Sequence, residues 1–495
     1  VNLAVLLYLY STQQSLTDES SSRKSPQRLK RVVPLTKSSI NVADLVTVVL
    51  RDFEDYENDL AEVTSHVIKA VPNIAVLAVA DKLPYPPVKL PRAQNIVLMT
   101  NVLNPTKPLS DFRPEAHVKS EFVLVLPDTA LVDSADMIKD LLIYLTSTAD
   151  KDLRAVAVQV GEEAAKCQSM MVDVKRWTLK HHDPPAEEGV DCDAVGGEHA
   201  LLLRTEDFFS LSAPFMRPHL ESLHLQLASC GYETHIMKDL IIPASKILFK
   251  DPHHLWKHRF RQSERRQQMY KDMGIKLIQH ADGEREWMGC VKESPRCFGT
   301  VINDMPSYIF EGRWTPPCCL KALRETVQYL FDILEEHDVR YWLEGGSLLG
   351  AVRHKDIIPW DYDVDIGIYK EDIAKCEPLA KCAKESFIDE QGFKWEQAVE
   401  GGFFRVQYSE YNHMHVDIFP FYSQNGLMTK DTWIKGHRQD TKFPERFLKP
   451  LTKIEFAGIE ASAPNNIKEF LEYKFGEGVI ENPRYPNGQN VTAGL

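Results

Sequence analysis

From about residue 45 the chain alternates two kinds of segment, and that alternation limits its fold more than any other feature. "LVTVVLRDF", "NIAVLAVAD", "NIVLMT", "FVLVLPD" and "AVAVQV" are short, nearly continuous apolar runs, as expected of strands buried on both faces. Between them, "DYENDLAEVTSHVIKAV" carries Leu60, Val63, Val67 and Ile68 at helical spacing, and "ADMIKDLLIYLTSTA" reads as a second helix. Strands and helices in turn predict an α/β domain with a mostly parallel sheet. Such sheets bind ligands at the carboxyl ends of their strands. This stretch has no glycine-rich loop, however, and Asp128, which ends "FVLVLPD", has no carboxylate partner two residues away. The domain is therefore expected to be structural or substrate-presenting rather than a metal-dependent nucleotide-sugar site.

The 495 residues allow two or three domains at roughly 150 residues each. A formal charge of −13 argues against DNA or RNA as partner, since a polyanion wants a basic surface. Nucleotides are not excluded, because a metal ion neutralises phosphates locally. The opening "VNLAVLLYLY" is too short to span a bilayer, which takes about 20 apolar residues; residues 1–10 read as the remnant of a membrane anchor or signal, or as a frayed end. Residues 11–44 are mostly polar and read as a disordered stalk. Anchor, stalk and globular body is the layout of a membrane-tethered lumenal protein. A sequon at Asn490 and an odd count of nine cysteines point weakly the same way. Cys167 and Cys192 either close a disulfide, worth roughly 3 kcal/mol for such a loop, or are two buried thiols. "DPHHLWKHRFRQSERRQQMYKDMG" reads as a basic connecting helix, and a domain junction is placed near its end at 274.

The second body, 275–495, opens with Cys290, Cys297, Cys318 and Cys319. Adjacent residues have Cα atoms about 3.8 Å apart, too close for Cys318 and Cys319 to bond each other comfortably. They pair separately with Cys290 and Cys297, or all four hold one tetrahedral Zn²⁺. The following helix has Leu320, Leu323, Val327, Leu330, Phe331 and Leu334 on its apolar side. "VRYWLE" is a strand ended by Gly345-Gly346-Ser347, and "SLLGAVRH" a helix with Ser347 as its expected N-cap. A glycine turn feeding a helix N-terminus offers N–H groups and a positive dipole end to phosphate.

"DYDVDIGIY" strengthens that signal. Period 2 puts Asp361, Asp363, Asp365 and Gly367 on one face, and Tyr362, Val364, Ile366 and Ile368 in the core. Same-face carboxylates roughly 6.5 Å apart along a strand repel unless a cation sits among them. Oxygen donors favour Mg²⁺ or Mn²⁺. "FFRVQYSEYNHMHVDIFPFY" reads as a hairpin turning at "SEYNHM". If it lies beside the aspartate strand, Asp417 faces the metals, while Arg405 and Gln407 either meet phosphate or form a salt-bridged surface. The metal pair is Asp361/Asp363 or Asp363/Asp365; the continuing strand favours the second.

Glycine-serine turn, helix, Asp-x-Asp strand and later carboxylate strand follow the order of the polymerase-β type nucleotidyltransferase fold, in which two metals clamp a phosphoryl transfer. "EGGSLLGAVRHKDIIPWDYDVDIGIY" and "FLEYKFGEGVIENPRYP" resemble the LicD-type transferases, and "RWTPPCCLKALRETVQYL" narrows the resemblance to their fukutin-related group. The resemblance implies a glycosyltransferase-like, Rossmann-type stem over 45–274 and a catalytic domain over 275–495. It implies a Golgi membrane protein with a lumenal active site, compatible with a homo-oligomer. It implies transfer of ribitol 5-phosphate from CDP-ribitol to the O-mannosyl glycan of α-dystroglycan, with CMP leaving. Asp363, Asp365 and Asp417 would hold Mg²⁺ or Mn²⁺, and Asp361 would ligate, act as base or support. Gly345, Gly346, Ser347 and Arg405 would steady the diphosphate, and the four cysteines would bind structural zinc. The rival expectations are a metal-dependent glycosyltransferase releasing another nucleotide, and a non-catalytic glycan-binding scaffold.

Overall fold

The computed structural model describes residues 37–102, 105–106, 108–183, 191–302, 305–434 and 437–485. The expected anchor, most of the stalk and the Asn490 sequon lie outside these residues. Ile40 and Val42 are buried, so the packed body starts inside the segment read as stalk: "SINVADLV" brings apolar side chains that reach the core. Among the described residues no helix is long and apolar enough to cross a membrane.

The chain forms two compact units. One draws on the described residues up to Glu163, with His199–Phe208 and Met237–Lys246; the other draws on Ala164–Glu198, Phe209–Ile236 and everything from Ile247 onward. The junction expected at 274 falls within the second.

The first unit is built on a seven-stranded sheet. Its order is Glu233–Ile242, Leu153–Val160, His199–Arg204, Phe122–Leu126, Val46–Leu50, Ala75–Ala80, Ile96–Thr100. The last four strands are mutually parallel and carry the apolar runs read from sequence. Leu60, Val63 and Val67 of the helix Leu60–Ala70 and Ile138, Leu141 and Leu142 of the helix Ala135–Ser147 are fully buried. "AVAVQV" does not extend the parallel series directly. His199–Arg204 intervenes, antiparallel to both its neighbours, because "HALLLR" is as apolar as the other strands and takes the central place.

The second unit contains a five-stranded sheet, Arg285–Trp287, Leu277–Gln279, Thr178–His182, Lys166–Asp173, Ala194–Gly196. A Cys167–Cys192 disulfide (Cα–Cα 5.5 Å) ties it together and settles the alternative left open by the sequence. The basic segment is the helix Pro252–Asp272, capped by Asp251.

The larger sheet of this unit carries the aspartates. Its main strands, in chain order, are β1 (Tyr341–Leu343), β2 (Asp363–Tyr369), β3 (Phe387–Ile388), β4 (Lys394–Gln397), β5 (Phe404–Gln407) and β6 (His415–Gln424). The spatial order is β1-β2-β6-β5-β4-β3. β2 and β6 are parallel, and β5 and β6 form the expected hairpin. Val364, Ile366 and Ile368 of β2 and Val416 and Ile418 of β6 are fully buried, under the helix Pro317–Glu336 with Leu323, Val327, Leu330, Phe331 and Leu334. The other face is left for the acidic side chains. Gly367 is required on that face: a Cβ there would lie 2.3 Å from the Trp342 ring.

Candidate active site

Asp363 and Asp365 both lie on β2, two residues apart and on one face. Asp361 precedes the strand, so alternation does not govern it or Tyr362. Asp361 Oδ1 accepts the Tyr362 N–H (3.0 Å), its backbone carbonyl accepts the Thr315 hydroxyl (2.5 Å), and its side chain interacts with Asp363. Tyr362, expected in the core, instead lines the cleft, edge-on to Phe298. The β2–β6 register sets Asp365 beside Asp417 and Asp363 beside His415. The later carboxylate therefore arrives where the hairpin reading put it, together with a histidine to which that reading gave no role.

Burial pushes the Asp361 carboxyl up to about 6. Burial and then the charges of Asp365, Asp361 and Asp417 push Asp363 well above the usual carboxylate range. Burial, Asp417 and Asp361 do the same to Asp365. Like charges crowded in this way repel one another unless a cation sits among them. The Asp417 carboxylate is held by Arg405 through two bonds, Nε–Oδ1 at 2.7 Å and Nη2–Oδ2 at 2.9 Å. Arg405, proposed from sequence for phosphate, thus neutralises a carboxylate.

The glycine turn differs from expectation in one respect. The helix runs Gly345–His354 with Glu344 as N-cap, so Ser347 lies within the first turn. Its hydroxyl accepts the Asp365 N–H (2.8 Å), which pins the helix to the aspartate strand. Gly345 has φ +53, a conformation glycine adopts without strain, and this lets the strand turn directly into the helix. A Cβ at Gly346 would come within 3.2 Å of Asp361 Oδ2, so the glycines also make room for the carboxylates.

Sequence reasoning missed Glu344 and Lys474. Glu344 is buried, accepts the Trp342 indole N–H (2.8 Å) and is ion-paired with the Lys474 ammonium. Lys474 belongs to the closing motif "FLEYKFGEGVIENPRYP". From the same motif, Val479 and Ile480 offer carbonyls to Arg353, and Tyr485 packs edge-on against Trp360. The motif fastens the glycine-turn helix and the loop before β2. Period 2 in "YWLE" places Glu344 on the face of Trp342, the one local signal for it.

The four cysteine sulfurs gather within 4.8 Å of one another. Cys290 and Cys297 are joined, a pairing the sequence reading did not include, and Cys318 and Cys319 are thiols whose sulfurs lie 3.2 Å from Cys297 and 3.0 Å from Cys290. The short loop brings the two Cα atoms to 5.8 Å, close enough to bond. The cluster is more than a brace, because the adjoining segment Pro295–Val301 forms one wall of a 1040 Å³ cleft. Asp363, Asp365, His415 and Asp417 line it, as do Phe403 and Trp433.

Glycine turn, helix, paired aspartates and a carboxylate on a parallel neighbour define a nucleotidyltransferase-type domain. Residues 338–466 match the LicD/FKTN/FKRP nucleotidyltransferase domain, and residues 33–281 match the fukutin-related protein stem domain. The chain is 45% identical to Ribitol 5-phosphate transferase FKRP of Mus musculus over 98% of its own length and 95% of that protein. Identity to the Homo sapiens counterpart is also 45%, with the same shares covered. A more distant relative, Ribitol-5-phosphate transferase FKTN of Homo sapiens, is 26% identical over 32% of this chain and 33% of its own. The chain belongs to the fukutin-related protein family.

Proposed function

We propose that this protein transfers ribitol 5-phosphate from CDP-ribitol to a glycan hydroxyl and releases CMP. The observation that carries the reading is the register that sets Asp365 beside Asp417, with Asp363 lining the same cleft, in a chain whose relatives over nearly their full length are named as ribitol 5-phosphate transferases.

Asp363, Asp365 and Asp417 would hold Mg²⁺ or Mn²⁺; the first two are half-buried, the third is buried, and their mutual repulsion is what such an ion would relieve. When bound, it would supply positive charge to the diphosphate and stabilise charge on the leaving CMP. Asp361 supports Asp363. The first-turn N–H groups at Gly345 and Gly346 would receive phosphate oxygens, and Ser347 holds that turn against Asp365. The acceptor hydroxyl attacks the phosphorus next to ribitol in line with the P–O bond to CMP. Phe403 and Trp433 offer apolar faces to the base. Arg405 keeps Asp417 in place before the donor arrives.

Cys290, Cys297, Cys318 and Cys319 would hold a structural Zn²⁺ as four thiolates, in place of the Cys290–Cys297 bond; the sulfurs, all within 4.8 Å of one another, suit one tetrahedral ion. The first unit would be a glycosyltransferase-like stem of Rossmann type that presents the acceptor, the O-mannosyl glycan of α-dystroglycan. The setting is the Golgi lumen, with the chain anchored at its N-terminus.

The test is a donor screen with the purified chain and a glycan acceptor, reading the nucleotide released and the product mass. CDP-ribitol should give CMP and a glycan heavier by one ribitol phosphate. Release of CDP, UDP or GDP would assign glycosyl transfer instead, and no turnover with any donor would leave a binding protein.

A further inference from the structure

Lys430 follows the short strand Leu427–Thr429 and is buried, with 6% of the residue exposed. A buried ammonium is costly unless it is paired. Its Nζ lies 2.8 Å from Asp440 Oδ1. It also lies 3.9, 5.4 and 5.3 Å from the ring centroids of Phe419, Phe421 and Trp433, within reach of the ring faces. The other oxygen of the same carboxylate, Asp440 Oδ2, accepts the Ile434 N–H (2.7 Å). One ion pair therefore ties down the backbone directly after Trp433. The Thr432 hydroxyl accepts the Gly402 N–H (2.9 Å), which joins this segment to the residue before Phe403. Phe403 stacks on Phe419 (4.8 Å), the ring closest to the ammonium. Lys430 thus reaches Trp433 directly and Phe403 through Phe419, and both of these aromatic residues line the cleft.

We propose that Lys430 is a positioning residue for the donor's nucleobase: its ion pair with Asp440 and its seat against Phe419 and Trp433 hold Trp433 and Phe403 in place for a planar pyrimidine ring. The inference rests on the reading of this cleft as a nucleotide site. Losing one aromatic platform weakens the binding of a base by about 10-fold or more. The base lies away from the reacting phosphorus, so it is held equally in the bound donor and in the transition state. Loss of its platform therefore raises KM and leaves kcat. The Lys430 charge also acts on the Asp365 carboxyl; a role exerted by that route would show in kcat instead.

The experiment uses the full chain, with CMP as the binding probe in calorimetry and CDP-ribitol as the donor in kinetics. The variants are Lys430→Met, Trp433→Ala and the two combined. Lys430→Met/Asp440→Asn removes both charges and leaves neither buried alone, so it carries the test if Lys430→Met fails to fold. In Lys430→Met the CMP affinity should fall by about 10-fold, and KM for CDP-ribitol should rise by the same factor with kcat within about 2-fold of the parent. Trp433→Ala should do the same, and the combined variant should be little worse than either, because both changes remove one platform. Unchanged CMP affinity in both Lys430 variants, or losses that multiply when Lys430→Met and Trp433→Ala are combined, overturns the positioning role and leaves the nucleotide reading standing. A fall in kcat with KM unmoved overturns it too and assigns Lys430 to the Asp365 charge. A parent chain that binds no CMP overturns the nucleotide reading and the positioning role with it.

Discussion

Lys474→Met isolates the tie between the closing motif and the glycine turn. Lys474 and Glu344 side chains are 1% and 8% exposed. Removing the ammonium leaves the Glu344 carboxylate buried with one remaining partner, the Trp342 indole N–H. Breaking a buried pair on one side costs about 3–5 kcal/mol, because the surviving charge is uncompensated. With a urea slope of roughly 3 kcal/mol/M, the midpoint of the transition that unfolds the aspartate sheet should fall by about 1 M or more. The second half of the argument is the double variant Lys474→Met/Glu344→Gln. Glutamine keeps an oxygen for Trp342 and carries no charge, so the double variant should recover much of the loss. The assay is urea denaturation followed by tryptophan fluorescence, with Trp342 in the same buried cluster. A Lys474→Met midpoint within about 0.2 M of the parent, or about 0.5 kcal/mol at that slope, or a double variant no more stable than the single, would refute the reasoning.

Gly367→Ala drives a methyl into the Trp342 ring and should destabilise by at least about 1–3 kcal/mol, read in the same denaturation experiment. Metal-free protein should lose stability as the pH rises through about 6. The folded Asp361 carboxyl sits at about 6, above its ordinary 3.8, so its contribution is fully present below 3.8 and lost above its folded value. Thermal melts between pH 4 and 7 should show the decline, Asp361→Asn should reduce it while Asp363 and Asp365, also raised, sustain the rest, and added Mn²⁺ should reverse it. Purified protein should carry one zinc and no Cys290–Cys297 bond by metal analysis and thiol titration, and Cys318→Ser should lose both the zinc and turnover. Zinc-free protein with full activity would show that the disulfide alone holds the cleft wall.

The aspartate strand was legible because alternation is a local signal: Asp363 and Asp365, at period 2 opposite Val364, Ile366 and Ile368, leave one face for a core and one for charge, although the pattern overreached at Asp361, which lies before the strand. The hairpin carrying Asp417 was legible for the same reason. What escaped was non-local. Lys474 lies 130 residues from Glu344, and nothing in "LEYKFG" names its partner. Arg405 read equally well as a phosphate contact or an ion pair, and only the β5–β6 register, which sets it opposite Asp417, decides between them. Ser347 read as a cap because serine often caps, yet the positive φ open to Gly345 starts the helix three residues earlier, with Glu344 as its cap. In the first unit, "HALLLR" competed with "AVAVQV" for the place beside Phe122–Leu126, and sequence pattern does not rank such strands.

The account stands on a divalent cation held among Asp363, Asp365 and Asp417 against a cytidine diphosphate donor. The direct measurement is anomalous diffraction from crystals soaked with Mn²⁺ and CDP-ribitol. A manganese peak within bonding distance of Asp365 and Asp417, with the diphosphate beside the Gly345–Gly346 turn, is the predicted result. A diphosphate bound in the cleft with no metal peak among those carboxylates would contradict it.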